Sequence, residues 1–175
     1  LYIGKREEVF VYNESTGNFD LFYHLAGKNI TLSCLHLDKN KNLWMGTTSN
    51  GIYCLSEDKS LSRPVTKGNI TSIYEDSSNE LWIGSWEEGL YRVKTDGNIE
   101  NLRHNPMNTN SLCSNFVRSC CEDNSGDLWI GTFNGLNRYD RETGKFHLYT
   151  ANGNSPDGLT HSSIWCIVKD GQGTI

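Results

Sequence analysis

The sequence has no apolar run near the ~20 residues that a membrane-spanning helix needs. It has no basic stripe either: 16 Lys and Arg are scattered among 21 Asp and Glu, for a net charge of −5. A phosphate-backbone footprint is therefore missing, and nucleic acid is not an expected partner. Helix-period apolar patterns are absent throughout, which argues against helical repeats. The six cysteines (Cys34, Cys54, Cys113, Cys120, Cys121, Cys166) lack the close pairing of a zinc site. Most read as small buried hydrophobes, with one disulfide left open. The five histidines are dispersed, and no phosphate loop or nucleophilic triad is present. No metal, cofactor or catalytic residue is expected. Proline is scarce at 3 and glycine plentiful at 17, a balance that suits many short strands joined by glycine turns.

What the sequence does have is a repeat. Leu128-Trp129-Ile130-Gly131-Thr132 recurs as Leu81-Trp82-Ile83-Gly84-Ser85, as Leu43-Trp44-Met45-Gly46-Thr47 and, more weakly, as Leu1-Tyr2-Ile3-Gly4. The spacings are 42, 38 and 47 residues, and Ile175 falls 47 residues after Leu128. Such periods mean stacked supersecondary units.

Each unit reads as four strands. In the last full copy these are Phe116–Glu122, Leu128–Thr132, Leu136–Tyr139 and Lys145–Thr150. Asn134-Gly135 joins the second to the third as a hairpin turn in which both residues tolerate positive φ. Asp38, Asp76, Asp123 and Asp170 share one register just after the first strand, where an Asx-turn explains them. Gly126 and Gly173 supply positive φ there, with Asn79 standing in for glycine. Four-stranded units of 40–45 residues repeating radially make a β-propeller, an all-β fold. The expected blades are 1–23 (lacking its inner strand), 32–65, 70–103 and 116–150, with 164–175 starting another at an inner strand Ile164–Lys169. That last strand either closes a four-bladed ring or marks an arc of about four blades from a larger ring. The arc is favoured; the blade number of the whole ring is left open, with seven as one reading. The chain thus reads as an internal piece of a larger protein. Trp44, Trp82 and Trp129 are assigned to the blade core.

The motif Asp123…Gly126-x-Leu128-Trp129-Ile130-Gly131-Thr132, then Asn134-Gly135-Leu136-Asn137-Arg138-Tyr139-Asp140 and Thr143-Gly144-Lys145-Phe146, resembles the regulator-propeller repeats of hybrid two-component sensor proteins, known mainly from gut Bacteroidetes. The loops Asn110-Ser111-Leu112-Cys113-Ser114-Asn115 and Asp157-Gly158-Leu159 are also similar to that family's. The resemblance implies a periplasmic sensor region that responds to oligosaccharides and controls polysaccharide-utilisation genes. It further implies a homodimer in the full protein, membrane anchorage through other segments, and a histidine kinase, receiver and DNA-binding domain elsewhere.

Turns between second and third strands should share a face with the inter-blade loops, and loops are where function concentrates. That face offers Trp86, Glu87 and Arg6 as the first ligand candidates. Phe133 lies in the corresponding turn, and His104, Asn105, Asn108, Asn110, Asn154, Asp157 and His161 lie on the loops. Trp86 is outside the repeated Trp position, so the core does not account for it. Arg118 and Trp165 share an inner-strand register with Ser33 and Thr71. They either line the channel or fill space between blades. Two rival classes are weighed. A protein-interaction propeller would use the same face. A sialidase-like enzyme would need Asp two residues before Gly, where here it is three, and two placed carboxylates. The inner strands offer only Glu75 and Glu122, which read as solvated strand ends.

Overall fold

The computed structural model describes residues 1–26, 30–65, 67–151 and 158–175. Fifteen strands and no helix occur among them. They form two compact units, 1–70 and 71–175. The fold is an antiparallel β-propeller type, built of sheets whose strands follow in chain order.

In the first unit β1 (Tyr2–Lys5), β2 (Glu8–Asn13) and β3 (Asn18–His24) make a three-stranded sheet. A four-stranded sheet follows: β4 (Leu32–Leu37), β5 (Leu43–Thr47), β6 (Ile52–Leu55) and β7 (Leu61–Val65). The third sheet is β8 (Ile70–Glu75), β9 (Leu81–Ser85), β10 (Leu90–Val93) and β11 (Ile99–Leu102). The fourth is β12 (Val117–Glu122), β13 (Leu128–Thr132), β14 (Gly135–Asp140) and β15 (Lys145–Tyr149). The strands of the fourth sheet lie within one residue, at each end, of those expected from the repeat. Ile164–Lys169 departs from expectation. Among the described residues it joins no ladder. The turn that follows it still forms, with Gly173 N–H donating to Asp170 O at 3.1 Å.

The second strand of each four-stranded sheet is the most buried, on both faces, while the fourth is largely exposed. One core gathers Val9, Leu25, Leu43, Met45 and Leu55 in the first unit. Another gathers Trp82, Leu90, Val117, Cys120, Leu128 and Ile130 in the second. Every position of the repeated motif then has a physical reason. Leu and Ile fill the core. The Trp indole donates to the turn aspartate: Trp44 to Asp38 at 2.8 Å, Trp82 to Asp76 at 2.6 Å and Trp129 to Asp123 at 2.8 Å. Trp129 is only half-buried, unlike Trp44 and Trp82. Glycine allows close approach, since a Cβ on Gly131 would sit 2.7 Å from Ile164 Cγ2 and one on Gly84 3.0 Å from Val117 Cγ1. The last residue closes the turn. Thr47, Ser85 and Thr132 are fully buried, and each hydroxyl donates to the carbonyl of Gly51, Gly89 or Gly135 at 2.7–2.8 Å.

The aspartates form the expected Asx-turns. Asp76 Oδ1 accepts from Ser78 N and Glu80 N, and Asp123 Oδ1 from Ser125 N and Asp127 N. Gly126 and Gly173 (φ 88° each) and Asn79 (φ 61°) take the left-handed position, and Lys41 takes it in the second sheet at 63°. At Asn134-Gly135 the expectation needs correction. Only Gly135 has positive φ, since Thr132 Oγ1 already fixes the turn by accepting from Asn134 N at 3.1 Å.

Glu122 is a second correction. It is no solvated strand end but 7% exposed. It accepts from Ser77 N at 2.8 Å and Ser77 Oγ at 2.7 Å, and so ties the fourth sheet to the third. Arg141 adds to this tie, donating to Asp76 Oδ2 at 2.6 Å and lying 3.5 Å from Glu122. All six thiols are free. Cys113, Cys120 and Cys121 are buried, and burial pushes the Cys34 and Cys54 thiols up to about 11.

Candidate ligand site

The site grows from how two turns grip the segment before β12. In the β9–β10 turn, Ser85 Oγ accepts from Glu88 N at 2.9 Å, which leaves Trp86 at the tip. Gly89 N–H then donates to Asn115 O at 3.0 Å. In the β13–β14 turn, Phe133 N–H donates to Phe116 O at 3.0 Å. Phe116 is thereby fixed between the two tips. Its ring meets Trp86 edge-on at 5.5 Å and Phe133 at 6.1 Å. Trp86 is 38% exposed and Phe133 53%.

Arg118 enters this cluster because β12 is irregular there. Val117 pairs with Thr132 and Ser119 with Gly131, so Arg118 is the extra, bulged residue. A bulge re-aims a side chain and is over-represented beside functional sites. The Arg118 guanidinium carbon lies 5.3 Å from the Trp86 ring centroid, 5.6 Å from Phe133 and 3.4 Å from Trp165. Trp165 is positioned through Ile164, whose N–H donates to Thr132 O at 2.9 Å. Arg118 Nε and Nη1 are buried and have no hydrogen-bond partner among the described residues. The arrangement presents aromatic faces and edges around one cation, as sites for small molecules commonly do.

Of the residues singled out in the sequence, the structure brings Trp86, Phe133, Arg118 and Trp165 together. Glu87 is exposed on the same turn as Trp86, and its carbonyl accepts from Arg103 Nη2 at 3.2 Å. Glu88 and Arg103 form an ion pair. His104 lies outside the cluster. Its Nδ1 donates to Leu112 O at 2.6 Å, and its backbone N–H to Asn115 Oδ1 at 2.8 Å. Asn105, Asn108 and Asn110 likewise engage backbone groups, through bonds to Met107 N, Asn110 N and Phe146 N. His161 is exposed, and its Nδ1 accepts from Ser163 N at 3.0 Å. Arg6 belongs to the other unit, where it turns the chain at φ 53° and its carbonyl accepts from Leu32 N. Asn154 and Asp157 lie outside the described residues. Sequence reasoning missed Phe116. The signal was its place directly before an inner strand, opposite two aromatic turn tips.

Three segments, 24–49, 64–87 and 111–134, match the family described as two component regulator propeller. Each spans an inner strand and the Leu-Trp-x-Gly strand after it. No curated protein matches the chain. Among solved structures, it is similar to the extracellular domain of BT4673, a proposed one component system of B. thetaiotaomicron. That likeness has 22% identity and a TM-score of 0.79, over 98% of this chain and 24% of that one. It is similar to the extracellular domain of BT3049, a proposed hybrid two component system of the same organism, with 22% identity and a TM-score of 0.53, over 98% and 28%. PorZ, a surface component of the type-IX secretion system of Porphyromonas gingivalis, aligns at 13% identity and a TM-score of 0.69, over 97% and 28%. The chain spans about a quarter of the length of these structures.

Proposed function

We propose that this chain, built of two-component regulator propeller repeats, is part of the periplasmic ligand-sensing region of a hybrid two-component system, and that its ligand is an oligosaccharide. The observation that carries the reading is the group of exposed Trp86 and Phe133 with half-buried Phe116 around Arg118, held by backbone bonds on two adjacent sheets. Aromatic faces pack against sugar C–H groups, and a few fixed polar groups orient the hydroxyls. The cluster supplies a cation but no carboxylate pair, and Glu122 is engaged with Ser77 and Arg141. The chain is therefore read as a binding region and not as a glycosidase. In the whole protein we place the kinase, the DNA-binding domain and the membrane anchor in other segments, and signalling in a homodimer.

The test is a glycan array probed with the full chain, followed by calorimetric titration of any hit. Trp86→Ala and Phe133→Ala are each expected to weaken binding at least tenfold with an unchanged melting temperature. A folded chain that binds no glycan, yet self-associates through this face, would replace sensing with a protein-interaction role. Unchanged affinity in both variants would remove the site.

A further inference from the structure

We propose that the ligand recognised at this site is an acidic saccharide, and that Arg118 receives its carboxylate or sulfate group. This rests on the oligosaccharide reading above and narrows it to a chemical class.

The argument starts from what holds the guanidinium. Its partners are ring faces, with Trp165 3.4 Å from Cζ and Trp86 and Phe133 at 5.3 and 5.6 Å. Stacking uses the plane of a guanidinium and leaves its in-plane N–H donors free. Among the described residues no carboxylate pairs with Arg118, and its Nε and Nη1 are buried without an acceptor. Other arginines of this unit contrast with it. Arg92 is paired with Glu80 at 2.7 Å and Arg103 with Glu88; Arg138 and Arg141 also leave Nε unpartnered, but each has a carboxylate beside it, Asp127 at 3.6 Å and Asp76 at 2.6 Å. Burying charged donors without acceptors is costly, so a structure that does so beside an exposed aromatic surface is incomplete without a partner.

The partner's chemistry follows. Charged N–H donors without acceptors match the oxygens of a carboxylate or sulfate, which accept charge-assisted hydrogen bonds. The rings beside them match the C–H face of a sugar. The ring covering Arg118 belongs to Trp165, which is 73% exposed and stands in no strand ladder. The anion reaches the buried N–H groups by displacing that ring, while the sugar packs on Trp86 and Phe133.

The experiment uses the full chain on an array that carries uronate-containing, sulfated and neutral oligosaccharides. Hits are titrated at 50 and 500 mM salt, and uronate hits are compared with their carboxyl-reduced forms. The expected result is binding confined to acidic members, at least tenfold weaker at high salt. Arg118→Gln should abolish it and Arg118→Lys should retain part of it, with both melting temperatures near that of the parent. Uronate hits lost on carboxyl reduction identify a carboxylate, and hits confined to sulfated members identify a sulfate. Binding of neutral glycans that Arg118→Gln leaves intact overturns this inference and keeps the oligosaccharide reading. If no glycan binds at all, that reading itself fails. Should either variant unfold, binding confined to neutral members of the array in the parent chain still decides against the proposal.

Discussion

Trp82 donates its indole N–H to Asp76 Oδ2 at 2.6 Å, and the same oxygen accepts from Arg141 Nη2, also at 2.6 Å. One carboxylate thus secures the tryptophan of the third sheet and an arginine from the β14–β15 turn of the fourth. The indole is flanked by two cations, with Arg92 5.0 Å and Arg141 5.6 Å from its ring. The same residue types that shape one turn therefore also dock neighbouring sheets.

Acid should loosen this docking. Burial works against ionisation of Asp76, but the donors Trp82, Glu80 N–H and Arg141 outweigh it and hold its carboxyl below the ordinary value of 3.8. Asp123 is lowered in the same way, with burial opposed by Trp129, Asp127 N–H and Ser125 N–H. A carboxyl lowered by folding adds stability that is complete above its unfolded pKa and is lost as pH falls through the folded one. The melting temperature of the full chain should be flat from about pH 7 to 5 and should fall below about pH 4. Asp76→Asn should start lower at pH 7 and lose less on acidification. An acid slope unchanged in that variant would place the sensitivity elsewhere.

The repeated glycine gives a sharper structural prediction. A Cβ on Gly84 would meet Ser72 Oγ at 2.5 Å and Val117 Cγ1 at 3.0 Å. Overpacking of this kind typically costs about 1–3 kcal/mol. Gly84→Ala should destabilise by about that much, while Gly171→Ala, with nothing within 4 Å of its Cβ and no positive φ, should be near neutral. Ser72 Oγ has no hydrogen-bond partner among the described residues. Ser72→Ala should therefore cost little alone and should recover part of the loss in the double variant, a coupling of about 0.5 kcal/mol or more. Additive denaturation midpoints would show that the strain lies elsewhere.

The strands and the register of the Asp-Trp repeat were legible in the sequence because a repeated unit shows one pattern several times over. Trp82 and Asp76 were each assigned a structural role, but their mutual bond was not foreseen. The six-residue separation says nothing until two strands fold back on each other. Glu122 was misread for the same reason: its partner Ser77 is 45 residues away, on another sheet. At the candidate site, Trp86 and Phe133 stood out as departures from the repeat. Arg118 stood out too, with Trp165, as lining the channel or filling space between blades, but its place beside Trp86 and Phe133 did not, because the β-bulge that re-aims it leaves no mark on residue spacing.

Lys41 is the clearest place where this chain departs from its own repeat at a cost. It sits at φ 63° in the turn where the other copies use Gly126, Asn79 and Gly173. A β-carbon in the left-handed region costs about 1–2 kcal/mol. Glycine removes that cost but adds freedom to the unfolded chain, which returns part of the gain. Lys41 also pairs with Glu57 at 2.9 Å, but both side chains are exposed and such pairs contribute only about 0–1 kcal/mol. Lys41→Gly should thus be neutral to mildly stabilising at low salt. At 0.5 M salt the parent's ion pair is screened and the backbone effect remains. There the variant should melt higher, by about 0.5–1 kcal/mol in stability. A lower melting temperature at both salt concentrations would mean that the lysine side chain contributes packing that outweighs its backbone strain.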